Sequence, residues 1–303
     1  MGPVSFHVLD SDSALFDWPL LLALEACEHR VVILGPVRAR RWAESVAPAL
    51  RILANCSAPK WSVRSNAMAL RRATAIRGLT DATAMCWGER TEAIVARSDI
   101  ARPIPVPQAL WRVPQVQTET RTIAPDRRAS RQALGVKDGE KLVAGLGARG
   151  TVDAFRLVHI AGVLCYAGEH VTVVVPRDSP GLERACRMVR RHRRGWRIAV
   201  PESAGPAEWA GADAAICLPL PARAAASASE RAMVESKSDW MRASGIPVLD
   251  TPAEEGIDSD LAIARTLRAV LEANSLEPSS DAGGFAAWRK RMEELARSNR
   301  PPA

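Results

Sequence analysis

The stretch VAGLGARG, residues 143–150, contains residue types that bind phosphate groups. Gly145, Gly147 and Gly150 fit the pattern G-x-G-x-x-G, and Arg149 adds a cation. In a dinucleotide-binding protein, such glycines let the backbone approach a pyrophosphate, whose charge faces the N-terminus of the next helix. The spacing therefore raises three alternatives: a dinucleotide site, a different phosphate-binding loop, and a turn that is merely rich in glycine.

The sequence after this stretch favours the turn. The helical pattern begins only at Thr151 or Val152, whereas a dinucleotide site requires the helix to begin near the second glycine. Asp178 follows the next predicted strand and stands where an acidic residue would hold a ribose. NAD(P) binding is kept as an alternative, and it predicts a helix that begins at Gly147 with Asp178 in the same pocket.

The composition excludes several other classes of site. The six cysteines include no C-x-x-C pair, and the five histidines have no metal-ligand spacing, so we expect neither a disulfide framework nor a metal site. The most apolar long window, LFDWPLLLALEAC, is interrupted by Asp17, Pro19 and Glu25, which predicts no transmembrane helix. No secretory signal is visible, and we expect a cytoplasmic protein with reduced thiols.

The net charge of +7 comes almost entirely from arginine. Its densest cluster, Arg187–Arg197, is interpreted as a solvated helix end rather than a surface for nucleic acid. We therefore expect no nucleic-acid partner, and peripheral contact with a membrane is left open.

Strand-like apolar runs alternate with amphipathic helical stretches along the chain. This alternation is typical of βαβ units and of a parallel sheet covered on both faces. Five prolines between 103 and 130 interrupt it and mark a domain boundary. We predict an α/β protein with two doubly wound Rossmann-like domains facing across a cleft. Its parts are an N-terminal domain (1–115), a linker (116–137), a C-terminal domain (138–280), and a C-terminal helix and tail (281–303).

Residues 121–150 resemble the start of the C-terminal domain in nucleotide-sugar glycosyltransferases of the GT-B fold, the group 1 or family 4-like superfamily. Two later segments, ADAAICLPL (212–220) and MRASGIPVLDT (241–251), are similar to segments of the same family. The matching positions in the first segment are Asp126, Arg131, Leu134, Gly135 and Val136. The resemblance implies transfer of a sugar from a nucleoside-diphosphate donor, bound by the C-terminal domain, to an unknown acceptor on the N-terminal domain. The donor is then a substrate, and no separate cofactor is implied.

The resemblance also implies roles for individual residues. Arg149 and Arg177 would stabilise the leaving nucleoside diphosphate, since two cations are needed there. Gly147 and Gly150 would let the backbone approach the donor. The predicted helix 229–243 would place a carboxylate near the ribose, from either Glu230 or Glu235. The segment after Arg177 predicts a helix that has Asp178 or Ser179 as its N-cap and Pro180 as its first residue.

The chain departs from the family pattern at several functional positions. The family's two glutamates correspond to Ala232 and Trp240, and no lysine follows Arg149. The family's histidine corresponds to Met85, and the turn 10–13, Asp-Ser-Asp-Ser, replaces a glycine-rich loop. These departures favour a second alternative, an inactive GT-B pseudo-enzyme that serves as a binding or assembly partner.

Overall fold

The structure is a computed structural model. It describes residues 5–56, 62–76, 79, 82–99, 101–116, 126–148, 150–192, 196–201, 205–218, 227–251, 257–273 and 282–298. The chain divides into two compact units. Unit 1 consists of Met1–Thr118 and Ala282–Ala303, and unit 2 of Glu119–Asp281.

Unit 1 contains a parallel five-stranded sheet in the order β3-β2-β1-β4-β5. Its strands are β1 (Ser5–Asp10), β2 (Arg30–Leu34), β3 (Arg51–Cys56), β4 (Ala82–Cys86) and β5 (Ala101–Pro105). The helices that connect them are α1 (Trp18–Ala26), α2 (Val37–Val46), α3 (Val63–Ile76) and α4 (Glu89–Ser98). The core is apolar on both faces of the sheet, as a parallel sheet between helices requires.

Strand β5 forms although it contains two prolines, Pro103 and Pro105. Among the described strands it lies at an edge of the sheet, where it pairs with β4. An edge strand tolerates proline because half of its N–H groups have no partner strand. The prolines that interrupt the sequence pattern therefore lie partly inside unit 1.

Unit 2 contains a second parallel sheet, in the order β10-β9-β6-β7-β8. Its helices are α5 (Arg127–Ala133), α6 (Ala154–Tyr166), α7 (Leu182–His192), α8 (Pro206–Trp209), α9 (Ala228–Ala243) and α10 (Ile257–Glu272). Its strands are β6 (Lys141–Leu146), β7 (Val171–Val174), β8 (Trp196–Ala199), β9 (Ala214–Cys217) and β10 (Val248–Asp250). The predicted α/β class with two Rossmann-like domains is confirmed.

Two helices belong to units that could not be assigned from the local sequence. Helix α5 lies within the predicted linker 116–137, yet the structure places it in unit 2. The last helix, α11 (Ala282–Ser298), belongs to unit 1. There the buried Trp288 donates a hydrogen bond from Nε1 to the carbonyl oxygen of Leu110 at 2.9 Å. Of the predicted C-terminal segment 281–303, the part from Ala282 onward therefore belongs to unit 1.

Arg131, one of the residues that carry the family resemblance, connects the start of unit 2 to the segment that precedes β9. Its guanidinium donates from Nη1 to the Gly211 carbonyl at 3.1 Å and to Asp213 Oδ2 at 3.0 Å. Asp213 also accepts from the amide of Leu142 in β6 at 2.6 Å and pairs with Arg127. The motif R-x-x-L-G-V therefore joins α5 to β6 and β9, and its role here is structural.

The described residues carry no feature of a membrane span or of a metal centre. No helix there is long and apolar enough to cross a membrane. No group of three or more His, Cys, Asp or Glu side chains there lies close enough to hold a metal ion. All six cysteines are free thiols. Burial raises the pKa of the Cys56 and Cys217 thiols to about 11 and that of Cys86 to about 12.

Candidate functional site

The strand order of unit 2 defines a switch point between β6 and β9. From β6 the chain proceeds to β7 and β8 on one side, and it then returns to β9 and β10 on the other side. In doubly wound sheets, ligands bind outside the carboxyl ends of the strands at such a point. The described residues of the stretch VAGLGARG reach this edge, since β6 ends at Leu146 and Gly147 follows.

Helix α9 lies against the ends of both strands at the switch point. Lys237 is only 3% exposed, and its Nζ donates a hydrogen bond to the carbonyl oxygen of Gly147 at 2.8 Å. The next residue, Ser238, has its Oγ 3.5 Å from Sγ of Cys217 at the end of β9. Lys237 Nζ also lies 5.3 Å from the centroid of the buried Trp209 ring. Two consecutive residues of α9 thus contact the ends of β6 and β9.

Sequence reasoning missed Lys237. Its neighbours Glu235 and Asp239 suggest a charged, solvated stretch of helix. A signal was present, however, because Met233, Trp240 and Met241 are spaced four, three and four residues from it, so that Lys237 interrupts an otherwise apolar helix face. A lysine on a buried helix face places its ammonium group inside the protein. Burial of a charge costs free energy unless a polar group bonds to it, so a polar partner is expected.

The glycines of the opening stretch are explained by packing inside unit 2. A Cβ atom on Gly145 would lie 2.6 Å from Cδ2 of Leu157 and 2.8 Å from Cγ1 of Val152. A Cβ atom on Gly147 would lie 2.8 Å from Cγ2 of Val152. Gly150 has φ +70°, which favours glycine. The absence of side chains at Gly145 and Gly147 therefore leaves room for Val152 and Leu157. This packing role is independent of any ligand of the loop.

The dinucleotide alternative required a helix that begins at Gly147. Helix α6 begins at Ala154, with Asp153 as its N-cap accepting from the amide of Arg156 at 2.9 Å. The helix therefore begins seven residues after Gly147 and four residues after Gly150. The structure does not provide the arrangement that this alternative needs.

The predicted donor-site arginines have different outcomes. Arg149 lies outside the described residues. Arg177 is exposed and lines a pocket of about 580 Å³ together with Asp178 and Ser179. The predicted helix start there is corrected, because α7 begins at Leu182 rather than Pro180 and neither Asp178 nor Ser179 is its N-cap.

The two predicted glutamates lie on different sides of α9. Glu230 belongs to a capping box, in which Ser227 donates its amide to Glu230 Oε2 at 2.8 Å and Glu230 donates its amide to Ser227 Oγ at 3.2 Å. Glu235 is exposed. It is two residues from Lys237, about 200° around the helix. The structure therefore does not bring Glu235 to the edge where Lys237 meets Gly147.

The positions that match the family's glutamates are occupied by packing residues. Trp240 is 5% exposed and Ala232 is 8% exposed. Neither side chain can accept a hydrogen bond from a sugar hydroxyl as a carboxylate does. This part of α9 therefore packs inside unit 2 and offers no carboxylate at those two positions.

Unit 1 has a polar cluster at its own switch point, between β1 and β4. Asp10, at the end of β1, pairs through Oδ2 with Nη1 of Arg90 at 2.8 Å. Asp12 in the acidic turn lies 3.6 Å from the same Nη1 atom. The turn that replaces a glycine-rich loop is thus partly neutralised by a cation from α4.

A second feature of unit 1 is a chain of three rings, from Trp87 after β4 through His7 in β1 to the partly buried His29 before β2. Trp87 Nε1 donates to His7 Nδ1 at 3.0 Å, and His7 Nε2 lies 2.7 Å from His29 Nδ1. Because His7 Nδ1 accepts, the proton of the neutral ring is on Nε2 and is donated to His29. Burial lowers the pKa of His7 well below its ordinary value, with the neighbouring His29 charge as a second cause.

Comparison with known proteins identifies the fold. No protein-family model matches the chain, and no curated protein matches it in sequence. The structure resembles that of UDP-GlcNAc 2-epimerase from Neisseria meningitidis bound to UDP-GlcNAc, with 12% identity and a TM-score of 0.51 over 99% of this chain and 100% of that chain. It also resembles a glycosyltransferase from Rickettsia africae, with 9% identity and a TM-score of 0.50 over 98% of each chain. The chain has the GT-B fold. At these identities the likeness concerns the fold alone.

Proposed function

We propose that this chain is a glycosyltransferase that binds a nucleoside-diphosphate sugar in unit 2, at the carboxyl ends of β6 and β9. The observation that carries the proposal is the contact of Lys237 with the Gly147 carbonyl oxygen at 2.8 Å. It puts a buried ammonium group directly under the loop that follows the first strand of unit 2. A diphosphate bound at this loop would meet a cation in surroundings of low dielectric constant, where charges interact strongly.

Lys237 supplies the lysine that the sequence of the loop lacks. In the family that the sequence resembles, a lysine follows the arginine in this loop, and here none follows Arg149. Lys237 reaches the same loop from α9 instead. Its bond to Gly147 fixes the position of the loop, and its charge favours the diphosphate that leaves when the sugar is transferred. Arg149 and Arg177 are the proposed further contacts of the diphosphate.

Glu230 is the better placed of the two predicted glutamates. It precedes Lys237 by seven residues, which is close to two full turns, so both lie on the same side of α9. A carboxylate has two oxygens and about four acceptor sites, so one glutamate can serve both a capping box and a ribose hydroxyl. We propose this role for Glu230 and none for Glu235.

The first donor to test is UDP-GlcNAc, the ligand bound by the epimerase from Neisseria meningitidis. The carboxyl ends of strands at a switch point are the general position for a ligand in such sheets. The acceptor is proposed to bind unit 1, where Asp10, Asp12 and Arg90 form the polar cluster at the end of β1.

A second candidate is a pseudo-enzyme that binds the nucleotide sugar without transferring it. Trp240 and Ala232 favour it, because both are buried where the family has glutamates. The two candidates share the binding step and differ only in turnover.

Calorimetric titration tests the binding step that both candidates share. The panel contains UDP, GDP, ADP, UDP-GlcNAc and NAD, with wild-type protein and two variants. We expect saturable binding of at least one nucleoside diphosphate, weakened by about tenfold or more in Lys237→Met, since a hydrogen-bonded ammonium group is lost. Lys137→Met, an exposed lysine of the same unit, is the matched control and should bind as wild type. Binding of NAD alone, or of none of the nucleotides, would contradict the proposal.

A turnover assay distinguishes the glycosyltransferase from the pseudo-enzyme. Release of UDP from UDP-GlcNAc is followed with and without a panel of hydroxyl-bearing acceptors. Release that depends on an acceptor supports the glycosyltransferase. Tight binding without release for any acceptor supports the pseudo-enzyme.

A further inference from the structure

Helix α3 of unit 1 exposes large apolar side chains on its outward face. Met68 is 52% exposed and Ile76 is 82% exposed. Among the described residues, no other helix exposes two large apolar side chains. Single exposed apolar residues are normal, whereas a group of them on one surface marks a site of interaction.

The helical period separates the outward face of α3 from its buried face. The buried residues cover an arc of about 100° around the helix axis, and the exposed residues cover about 140° on the opposite side. The buried residues are Asn66, Ala67, Leu70 and Thr74. The exposed residues are Arg64, Met68, Arg71, Arg72, Ala75 and Ile76. Met68 and Ile76 therefore point away from the core of unit 1.

The same outward face is basic. Helix α3 contains three arginines, Arg64, Arg71 and Arg72, and no acidic residue. Within the described part of the chain, none of these arginines takes part in an ion pair. Arg72 lies four residues after Met68 and four residues before Ile76, so it stands between the two apolar side chains on the helix surface. The face therefore combines apolar side chains with positive charge that no carboxylate of α3 offsets.

We propose that the outward face of α3 binds an anionic lipid bilayer. The residues that make the contact are Arg64, Met68, Arg71, Arg72 and Ile76. Their guanidinium groups bind lipid phosphates, and their apolar side chains enter the boundary between the headgroups and the acyl chains. Arginine suits this position because its stem lies along apolar surface while its charged end reaches the headgroups. With 14 residues, α3 is shorter than the roughly 20 residues of a membrane span, so it lies along the surface of the bilayer.

The mixture of residue types favours a bilayer over other anionic or apolar partners. A nucleic-acid backbone offers phosphates to the arginines but no apolar layer to Met68 and Ile76. A second copy of the same face would bring arginines against arginines, with no acidic residue of α3 to pair them. A bilayer that contains anionic lipids offers both a negative surface and an apolar layer. This contact needs neither a nucleotide nor an acceptor, and it is therefore independent of the proposed transfer reaction.

Co-sedimentation of the full chain with lipid vesicles tests the surface. The vesicles consist of phosphatidylcholine alone or of an equal mixture of phosphatidylcholine and phosphatidylglycerol. We expect saturable binding to the mixed vesicles and much weaker binding to phosphatidylcholine alone. Binding to the mixed vesicles should weaken at high salt, because salt screens exposed charges.

Two double variants test the two parts of the face separately. Arg71→Gln/Arg72→Gln should weaken vesicle binding about tenfold or more, since each basic residue near an anionic surface contributes about fivefold. Met68→Ser/Ile76→Ser should weaken it about five- to tenfold, because less apolar surface then enters the bilayer. All four side chains are exposed, so the melting temperature of both variants should stay near that of wild type. An unchanged melting temperature separates lost binding from lost folding.

Matched controls lie on α2, which covers the opposite face of the sheet because the chain reverses direction across the sheet after β3. Arg38→Gln/Arg41→Gln removes two exposed arginines there. Val37→Ser removes an apolar side chain that is 57% exposed. Each control should bind the mixed vesicles within about twofold of wild type, as expected of groups that act only through the screened general field.

Three results would overturn the proposal. The first is absence of sedimentation with the mixed vesicles. The second is an equal loss of binding in the α2 and α3 variants. The third is a loss in Arg71→Gln/Arg72→Gln with unchanged binding in Met68→Ser/Ile76→Ser, because a site for a nucleic acid or an acidic protein would behave in this way.

Discussion

Lys237 Nζ donates a hydrogen bond to the carbonyl oxygen of Gly147 at 2.8 Å, from a helix that is 90 residues further along the chain. The contact connects α9 to the end of β6 and is almost completely buried. It adds a lysine from a distant helix to a glycine-rich stretch whose own sequence contains one cation, Arg149.

Lys237→Met should destabilise the protein by about 1–2 kcal/mol, because the Gly147 carbonyl loses a charged donor while the apolar part of the side chain is retained. Urea unfolding measures the change. Lys137→Met, which alters an exposed lysine, should stay within about 0.5 kcal/mol of wild type. Equal stability of the two variants would show that the buried contact contributes nothing.

Asp213→Asn should destabilise unit 2 more than a surface substitution does. Asp213 accepts from Arg131 and from the Leu142 amide, and its side chain is 18% exposed. An amide cannot accept from all of these donors, so a cost of about 2 kcal/mol is expected, below the range for fully buried pairs. Glu44→Gln breaks an exposed pair with Arg40 and should cost less than about 0.5 kcal/mol. Similar losses in both variants would contradict the structural role of Asp213.

Gly145→Ala should destabilise the protein by about 1–3 kcal/mol, since the new methyl group would lie 2.6 Å from Cδ2 of Leu157. A double-mutant cycle with Leu157→Ala tests the cause, because removal of the clashing atom should make the two losses less than additive. Strict additivity would mean that the clash is not with Leu157.

Acid should weaken unit 1 through His7 and His29. Burial lowers the pKa of both rings from the ordinary value of 6.5. The charged groups near His29 are Glu293, which raises its pKa, and Arg289, which lowers it. Below about pH 6.5 the unfolded chain therefore binds protons that the folded chain does not, and stability falls as the pH falls toward the lowered pKa values.

Urea midpoints measured between about pH 7 and pH 5 give this slope. His7→Gln should flatten it, whereas His170→Gln, which changes an exposed histidine, should keep it. If wild type, His7→Gln and His170→Gln all show the same slope, groups other than His7 cause the pH dependence.

The strands of both sheets were predictable because a parallel sheet is buried on both faces. Strand β7, with the sequence VTVV, is buried at every position and is a plain apolar run in the sequence. Strand β5 was harder to predict because Pro103 and Pro105 are unfavourable except at a sheet edge, and the position of a strand in the sheet is not a local property. The assignment of α5 and α11 to their units is likewise set by tertiary contacts.

The candidate site was predictable only in part. The position of Gly147 at a strand end follows from the local pattern, while Lys237 reaches it from a distant helix. Glu230 illustrates the opposite case, because Ser227 and Glu230 form the S-x-x-E pattern of a capping box, a structural signal that competes with a catalytic interpretation. Ser179 was predicted as a cap, and the actual start of α7 leaves its hydroxyl unpartnered among the described residues.

The most direct test of the proposed function is a crystal structure of the protein with UDP or UDP-GlcNAc. We expect density for the diphosphate at the carboxyl ends of β6 and β9, with a phosphate oxygen within about 3 Å of a donor in the loop that contains Gly147 and Gly150. A nucleotide bound away from this edge, or a protein that binds NAD there and no nucleoside diphosphate, would contradict it.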